Sequence, residues 1–186
     1  STNLYKFQNA VEKKFNKKFT NYKKFWQWSN SHSGQFWSFL IEHFDIPLTK
    51  KKTFKVLNPK SDFWRMVFFD KSLVNYYQLI FNNVSQDLAI HFVGENEFEE
   101  KLTYKNLNDR VNSLSNYFKS LDIKKGDVIA GYLPNIPDTI ISFLAAAKIG
   151  AVWSSCSSDF GIKAVVDRFS QLNPKILIIG DYYFYN

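Results

Sequence analysis

The chain has 186 residues, of which 45% are hydrophobic, and this is enough apolar material for one or two globular domains with a buried core. Its net charge of +7 raises the question of an anionic partner, whereas a single cysteine excludes an internal disulfide and three scattered histidines exclude the ligand spacing of a zinc site. The longest apolar run, residues 140–147, is far shorter than the ~20 residues of a membrane span. The amino terminus lacks an apolar core followed by a cleavage site, so we predict a cytoplasmic protein without a membrane span.

The positive charge is concentrated in the first third of the chain. Residues 1–60 carry twelve lysines and three acidic residues, a net +9, whereas residues 61–186 have a net charge of −2. The lysine pairs at 13–14, 17–18 and 23–24 suit phosphate neutralisation, so a nucleic-acid-binding module is one hypothesis. We favour a solvated helix face, because the aromatic residues between these lysines have the spacing of a core-facing stripe.

Two amphipathic helices are predicted before residue 45. In the first, five aromatic residues recur at steps of three and four, which places the rings on one side and the lysines on the other. In the second, Ser33 is the expected N-cap and a stripe of apolar residues is expected to be buried. The aromatic residues of the first helix are Phe15, Phe19, Tyr22, Phe25 and Trp26, and the stripe of the second is Phe36, Trp37, Leu40, Ile41 and Phe44.

A less regular region follows these helices. Residues 46–62 contain two prolines and several lysines, which is typical of an irregular crossing segment. Residues 64–69 and 73–81 form an aromatic patch that we expect to pack a short helix onto the next part of the chain. We therefore assign residues 1–84 to a mainly helical amino-terminal segment.

From residue 85 the pattern changes to strands alternating with helices. This alternation indicates right-handed crossovers and a parallel sheet with helices on its faces, so residues 85–186 are predicted to begin an α/β domain. The predicted elements are a strand at 88–93, an acidic turn at 94–100 that leads into an edge strand, a helix capped by Thr103, a strand at 128–133, a helix from Pro137 to about Gly150, a strand at 151–155, a helix at 162–172 and a strand at 175–179.

The stretch from Lys148 to Gly161 joins a helix end, a short apolar strand and a turn rich in serine. Turns at strand ends are where α/β proteins hold ligands, so this is the candidate site. Cys156 suits a nucleophile beside a helix N-terminus, but no His or acidic partner is identifiable in the sequence. We therefore interpret Cys156 as a buried small residue.

Three further residues have structural interpretations. We expect Asp127 to shape the turn before a strand, Arg168 to form an ion pair on its helix, and His91 to pack within its strand. A catalytic role is the alternative interpretation of Asp127 and Arg168, but we predict no catalytic residue in this sequence.

Several motifs are informative in combination. They are residues 22–29 (YKKFWQWS), 125–128 (KGDV), 132–135 (YLPN), 153–161 (WSSCSSDFG) and 167–169 (DRF). Together they resemble the amino-terminal part of the acetoacetyl-CoA synthetase family, acyl-CoA ligases of the adenylate-forming superfamily. The run that begins at Trp153 distinguishes the acetoacetate branch from acetate and propionate ligases. Ser158 departs from the family pattern, which usually has proline there.

The resemblance implies the fold, reaction and cofactors of such a ligase. The fold would be α/β, with a helical amino-terminal segment followed by the first βαβ units of the parallel sheet of the adenylate-forming ligase fold, here incomplete. ATP would activate acetoacetate as an acyl-adenylate with loss of pyrophosphate, and the thiol of coenzyme A would then displace AMP. The Ser/Thr/Gly-rich ATP loop, the Mg²⁺ ligands and the catalytic lysine of the family are not found in these residues. We therefore expect this acid–thiol ligase to be inactive as residues 1–186 alone, and to associate through exposed sheet edges.

The same resemblance implies one binding site. The residues that correspond to the family's coenzyme A contact are Ser158, Asp159, Phe160 and Gly161, where an open glycine lets backbone approach the ligand. The alternative is that Asp159 caps the following helix while Gly161 relieves crowding. A catalytically silent α/β interaction protein, like the nucleic-acid-binding module, remains an alternative for the whole chain, and the codons that follow Asn186 would distinguish it from a working ligase.

Overall fold

The computed structural model describes residues 2–49, 62–65, 68–70, 72–95 and 97–181. The irregular crossing segment predicted at residues 46–62 therefore lies mostly outside the described residues. The chain forms two compact units, Ser1–Val74 and Asn75–Asn186.

The described residues of the first unit form three α-helices. They are α1 (Asn3–Phe15), α2 (Tyr22–Ser31) and α3 (Ser33–His43). Polar side chains cap the N-termini of α1 and α2. Thr2 accepts a hydrogen bond from the N–H of Tyr5, and Asn21 accepts one from the N–H of Lys24. The three helices share a cluster of buried side chains, which gives this lysine-rich unit its own apolar core. Its members are Phe7, Val11, Phe25, Trp28 and Phe39.

The prediction of one helix through Phe15 and Trp26 is wrong. Asn16 adopts a left-handed conformation, with φ of 48°, and ends α1 before α2 begins. As a result Tyr22 and Trp26 are 61% and 52% exposed, and α2 instead buries Phe25 and a second tryptophan, Trp28.

The second predicted helix corresponds to α3 and differs in detail from its prediction. Its N-cap is His32, which makes no side-chain capping bond, and Ser33 is its first residue. Phe39 is buried in the core, whereas Trp37 and Phe44 of the predicted stripe are exposed.

The aromatic patch predicted at residues 64–69 and 73–81 is incomplete. Trp64 lies in a short 3₁₀ helix, Phe63–Arg65, and is exposed.

The second unit alternates strands with helices, as predicted. Its elements are α4 (Tyr76–Ile80), β1 (Leu88–Val93), β2 (Glu99–Thr103), α5 (Tyr104–Ser120), β3 (Val128–Tyr132), α6 (Pro137–Ile149), β4 (Val152–Cys156), α7 (Ile162–Ser170) and β5 (Ile176–Ile179). Thr103 caps α5 by accepting the N–H of Asn106, and Pro137 occupies the first turn of α6. Gly150, with φ of 75°, ends α6 in the left-handed conformation.

The parallel sheet predicted for this unit has the order β4-β3-β5. Both outer strands run parallel to β3, so that Ile129 lies opposite Trp153 on one side and Ile176 on the other. Strands β1 and β2 form a separate antiparallel pair. The strand order therefore confirms the βαβ connections inferred from the alternating pattern.

The central strand β3 contributes to two different cores. Ile129 joins the cluster formed with α5 and α6, and its neighbour Ala130 joins the cluster formed with α7. Both residues are fully buried, because successive side chains of a strand point to opposite faces of the sheet. The helices on these faces thus place the loop after β3 and the loop after β4 on opposite sides of the sheet.

Within the described residues, β4 and β5 are the outer strands of the parallel sheet. Helix α7 packs against β3 and β4 on one face of the sheet. On the same face, Leu177 and Ile179 of β5 are exposed. Association through these edges stays a prediction. Every helix in the described part of the chain is too short or too polar to span a lipid bilayer.

Asp127 holds the turn that leads into β3, as the sequence predicted. Its carboxylate accepts the backbone N–H of Lys124 at 2.7 Å and pairs with the ammonium of Lys175 at 2.9 Å, just before β5. The hydrogen bond from Lys124, followed by the contact with Lys175, lowers the pKa of Asp127 below its ordinary value of 3.8.

Asp127→Asn is therefore expected to destabilise the protein at neutral pH. Because the folded-state pKa is lowered, the carboxylate stabilises the fold above pH 3.8, and this stabilisation is lost as the pH falls through the folded-state pKa. Thermal unfolding of variant and wild type from pH 7 down to pH 3 measures the difference, which should shrink at the acidic end. Asp122→Asn is the control, since Asp122 makes an exposed ion pair with Lys124 and should matter less. A pH-independent difference would contradict the prediction.

Candidate functional site

The candidate site lies at the carboxyl ends of the three parallel strands β3, β4 and β5. The loop after β3 leads to α6 on one face of the sheet, and the turn at residues 157–161 leads to α7 on the other. The chain passes from the central strand outward to β4 and then back across to β5, so the strand order reverses at β3. A crevice at such a reversal, beyond the carboxyl ends of the strands, is the general position of ligands in open α/β sheets.

The turn after β4 is held by hydrogen bonds on several sides. The hydroxyl of Tyr132, the last residue of β3, lies 2.8 Å from the carbonyl oxygens of both Ser158 and Phe160, so its single hydrogen has two acceptors within reach. Within the turn, the N–H of Phe160 donates to the carbonyl of Ser157 at 3.2 Å. These bonds give the turn a defined backbone conformation next to the sheet edge.

Asp159 is the acidic residue of this turn. The hydroxyl of Ser157 donates to its carboxylate, and this bond, followed by one from the residue's own N–H, lowers the pKa of Asp159 below 3.8. Asp159 is therefore ionised at neutral pH. It does not cap α7, whose N-cap is Gly161 without a side-chain capping bond, so the capping interpretation of Asp159 is wrong.

Gly161 lies in open space. Apart from the glycine and its two chain neighbours, no heavy atom lies within 4 Å of the position that a Cβ would take there, and its φ of −63° is accessible to any residue. The interpretation that Gly161 relieves crowding is therefore wrong as well. Asp159, Phe160 and Gly161 are exposed, whereas Ser158 is buried.

Arg168 approaches the turn from α7. Its guanidinium carbon lies 4.5 Å from the centre of the Phe160 ring, a cation–π geometry. Within the described part of the chain it takes part in no ion pair, so the ion pair predicted on its helix is wrong. The guanidinium instead supplies a positive charge beside an exposed aromatic ring.

Two other sequence candidates are structural. Cys156 is buried with Ala130, Val165 and Phe169 in the cluster under α7, which confirms its interpretation as a small packing residue. His91 is about half exposed and bonds to Glu99 across the β1–β2 pair at 2.6 Å, so the prediction of a packing role for His91 in its strand is wrong. In the described residues no group of three His, Cys, Asp or Glu side chains is placed to hold a metal ion.

Sequence reasoning assigned no role to Tyr132 or Gly131. Tyr132 belongs to the YLPN motif, and its position at the end of a buried strand, two residues before Pro134, is the signal that places it where the strand ends. A Cβ on Gly131 would lie 2.5 Å from the Trp153 ring, so this glycine makes room for the indole on the neighbouring strand. Glycine inside a strand is a known sign of such close approach.

Comparison with known sequences and structures agrees with this architecture. The sequence model of AMP-binding enzymes matches residues 82–184. The acetoacetyl-coenzyme A synthetase of Rhizobium meliloti is 35% identical over 173 residues, which cover 93% of this chain and 26% of that protein. The acetoacetyl-CoA synthetase of Xenopus tropicalis is 34% identical over 187 residues, which cover 100% of this chain and 28% of that protein.

Solved structures give the same result. Acetoacetyl-CoA synthetase from Streptomyces lividans matches with a TM-score of 0.84 and 28% identity, over 97% of this chain and 28% of that one. An acyl-CoA synthetase of Brucella canis matches with a TM-score of 0.54 and 26% identity, over 57% of this chain and 20% of that one. The chain thus spans about a quarter of the length of the curated relatives it matches. These matches confirm the resemblance inferred from the motifs, and the chain belongs to the family of AMP-binding enzymes.

Proposed function

We propose that the whole protein is an acid–thiol ligase that activates acetoacetate with ATP and transfers the acyl group to coenzyme A. The observation that carries this proposal is the match to acetoacetyl-CoA synthetase over 97% of the chain, with a TM-score of 0.84. In the reaction, a carboxylate oxygen attacks the α-phosphorus of ATP and pyrophosphate leaves. The thiol of coenzyme A then attacks the acyl carbon and AMP leaves.

We place coenzyme A at the turn formed by Ser158, Asp159, Phe160 and Gly161. The open space around Gly161 supports this placement, because it lets a ligand approach the backbone closely. The exposed Phe160 ring offers an apolar surface to the pantetheine chain, and Arg168 beside it offers a positive charge to the phosphates. The buried Ser158 supports the turn from below.

The rest of the chemistry is assigned to parts of the protein beyond these residues. We propose that the whole enzyme uses ATP and Mg²⁺, because its family implies both. The described residues do not fit a metal site, since they contain no suitable group of three ligands, and the proposal gives Mg²⁺ no ligand among them. A cytoplasmic location remains part of the proposal, and the single buried cysteine is consistent with it.

A basic nucleic-acid-binding module is less well supported. Phe25 and Trp28, which follow the lysines of α2, are buried in the same cluster as Phe7 in the core of the first unit. The rings of Phe25 and Trp28 are therefore unavailable for stacking bases, and Tyr22 and Trp26 are the exposed rings of this helix. The lysines then act as a solvated helix face.

Exchange of pyrophosphate into ATP tests the proposal on the full-length protein. We expect exchange that depends on acetoacetate, with kcat/KM at least about tenfold higher for acetoacetate than for acetate, because a pocket fitted to the 3-oxo group loses affinity for an acid without it. Residues 1–186 alone should show no exchange. Equal rates with both acids would overturn the choice of acetoacetate, and the absence of exchange with either acid would favour a catalytically silent protein.

A further inference from the structure

Tyr132 links the central strand to the turn after β4. Its backbone is fixed on both sides, since it lies opposite Cys156 of β4 and opposite Ile179 of β5. Its ring packs against the buried cluster under α7, which contains Ala130 and Cys156. The hydroxyl therefore projects from a part of the sheet that has little freedom to move.

The two acceptors of this hydroxyl lie on either side of Asp159. They are the carbonyl oxygens of Ser158 and Phe160, each 2.8 Å from the hydroxyl oxygen. The other side-chain contacts of the turn come from within it, between Ser157 and Asp159, or from the helix that follows, where Arg168 meets the Phe160 ring. Among the described residues, Tyr132 thus supplies the side-chain link between the turn and another strand.

We infer that Tyr132 is a positioning residue for the thioester-forming step. Its hydroxyl turns the carbonyl groups of Ser158 and Phe160 toward the sheet, which leaves the opposite side of the turn and the open backbone at Gly161 facing the ligand. This inference rests on the proposed function, because coenzyme A is the ligand placed at the turn. Tyr132 acts through the turn and does not itself touch the reacting atoms.

The test uses the full-length protein with Tyr132→Phe, which removes the hydroxyl and keeps the ring. The net worth of one hydrogen bond corresponds to about a three- to tenfold change in affinity. We therefore expect the KM for coenzyme A, and its Kd measured by titration calorimetry, to rise by about that factor. Acetoacetate-dependent pyrophosphate exchange, which needs no coenzyme A, should change less than twofold. Tyr117→Phe is the matched control, because Tyr117 is an exposed tyrosine of α5.

The possible results separate the inference from the proposed function. A KM and Kd for coenzyme A that match those of Tyr117→Phe would overturn the positioning role, and so would a parallel loss of exchange and thioester formation, which is the pattern of general structural damage. If the wild type shows no exchange but binds coenzyme A, the ligase proposal fails and the calorimetric comparison still decides the role of Tyr132. If the wild type does not bind coenzyme A, both fail.

Discussion

Phe118→Ala is expected to lower the free energy of unfolding by about 3 to 5 kcal/mol, the range measured for deletion of a buried phenylalanine side chain. Phe118 is 1% exposed and is among the largest fully buried side chains in the described residues. It lies in the cluster that joins α5 and α6 to the sheet, with Ile129 of the central strand and Leu144 of α6 as further members. Truncation leaves a cavity that the surrounding helices and sheet cannot fill.

The adjacent residue supplies a control for this prediction. Tyr117 is on the same helix but is 58% exposed, so Tyr117→Ala should change the stability by no more than about 0.5 kcal/mol. Chemical denaturation followed by far-UV circular dichroism measures both variants. Similar losses for Phe118→Ala and Tyr117→Ala would show that the burial assigned to Phe118 is wrong.

Gly131→Val is expected to cost about 1 to 3 kcal/mol, the usual penalty for forcing extra methyl groups into a packed core. The Cβ at this position would lie 2.5 and 2.6 Å from two ring carbons of Trp153. The indole is partly buried and packs against the main buried cluster, which restricts its movement away from the new group. The strand is the central one of the sheet, and a shift of its backbone would disturb both neighbours.

Two comparisons isolate the cause. Gly161→Ala adds a methyl group where no atom lies within 4 Å, and it should cost less than about 1 kcal/mol. Trp153→Leu shortens the side chain that meets the new group, so combining it with Gly131→Val should recover part of the loss in a double-mutant cycle. Additive losses in the combined variant would contradict the proposed clash.

The sequence correctly predicted those helices whose ends are marked by cap or first-turn residues. Thr103, Pro137 and Gly150 are cap and first-turn residues whose side chain or missing Cβ acts on the neighbouring backbone, and α5 and α6 begin and end where these residues predict. The first unit was predicted less well, because the three- and four-residue steps of its aromatic residues continue across the break at Asn16. Periodicity measures spacing and is insensitive to a single left-handed residue.

In the candidate site, too, the local feature was predicted and the contacts between distant residues were not. The turn at residues 157–161 was predicted at a strand end, but its contact with Tyr132 joins residues 26 and 28 positions apart, which only the folded sheet brings together. For Arg168 the ion pair was predicted without a partner at the right spacing. Positions three and four residues away on its helix hold no acidic side chain, and the guanidinium contacts Phe160 instead.

The bond from Tyr132 to the turn has a property that follows from the chemistry of a phenol. Its O–H group carries one hydrogen, while two carbonyl oxygens lie at the same 2.8 Å distance. A small torsion about the C–O bond transfers that hydrogen from one acceptor to the other and leaves every heavy atom in place. The turn therefore stays bonded to the strand whichever of the two carbonyl oxygens accepts the hydrogen.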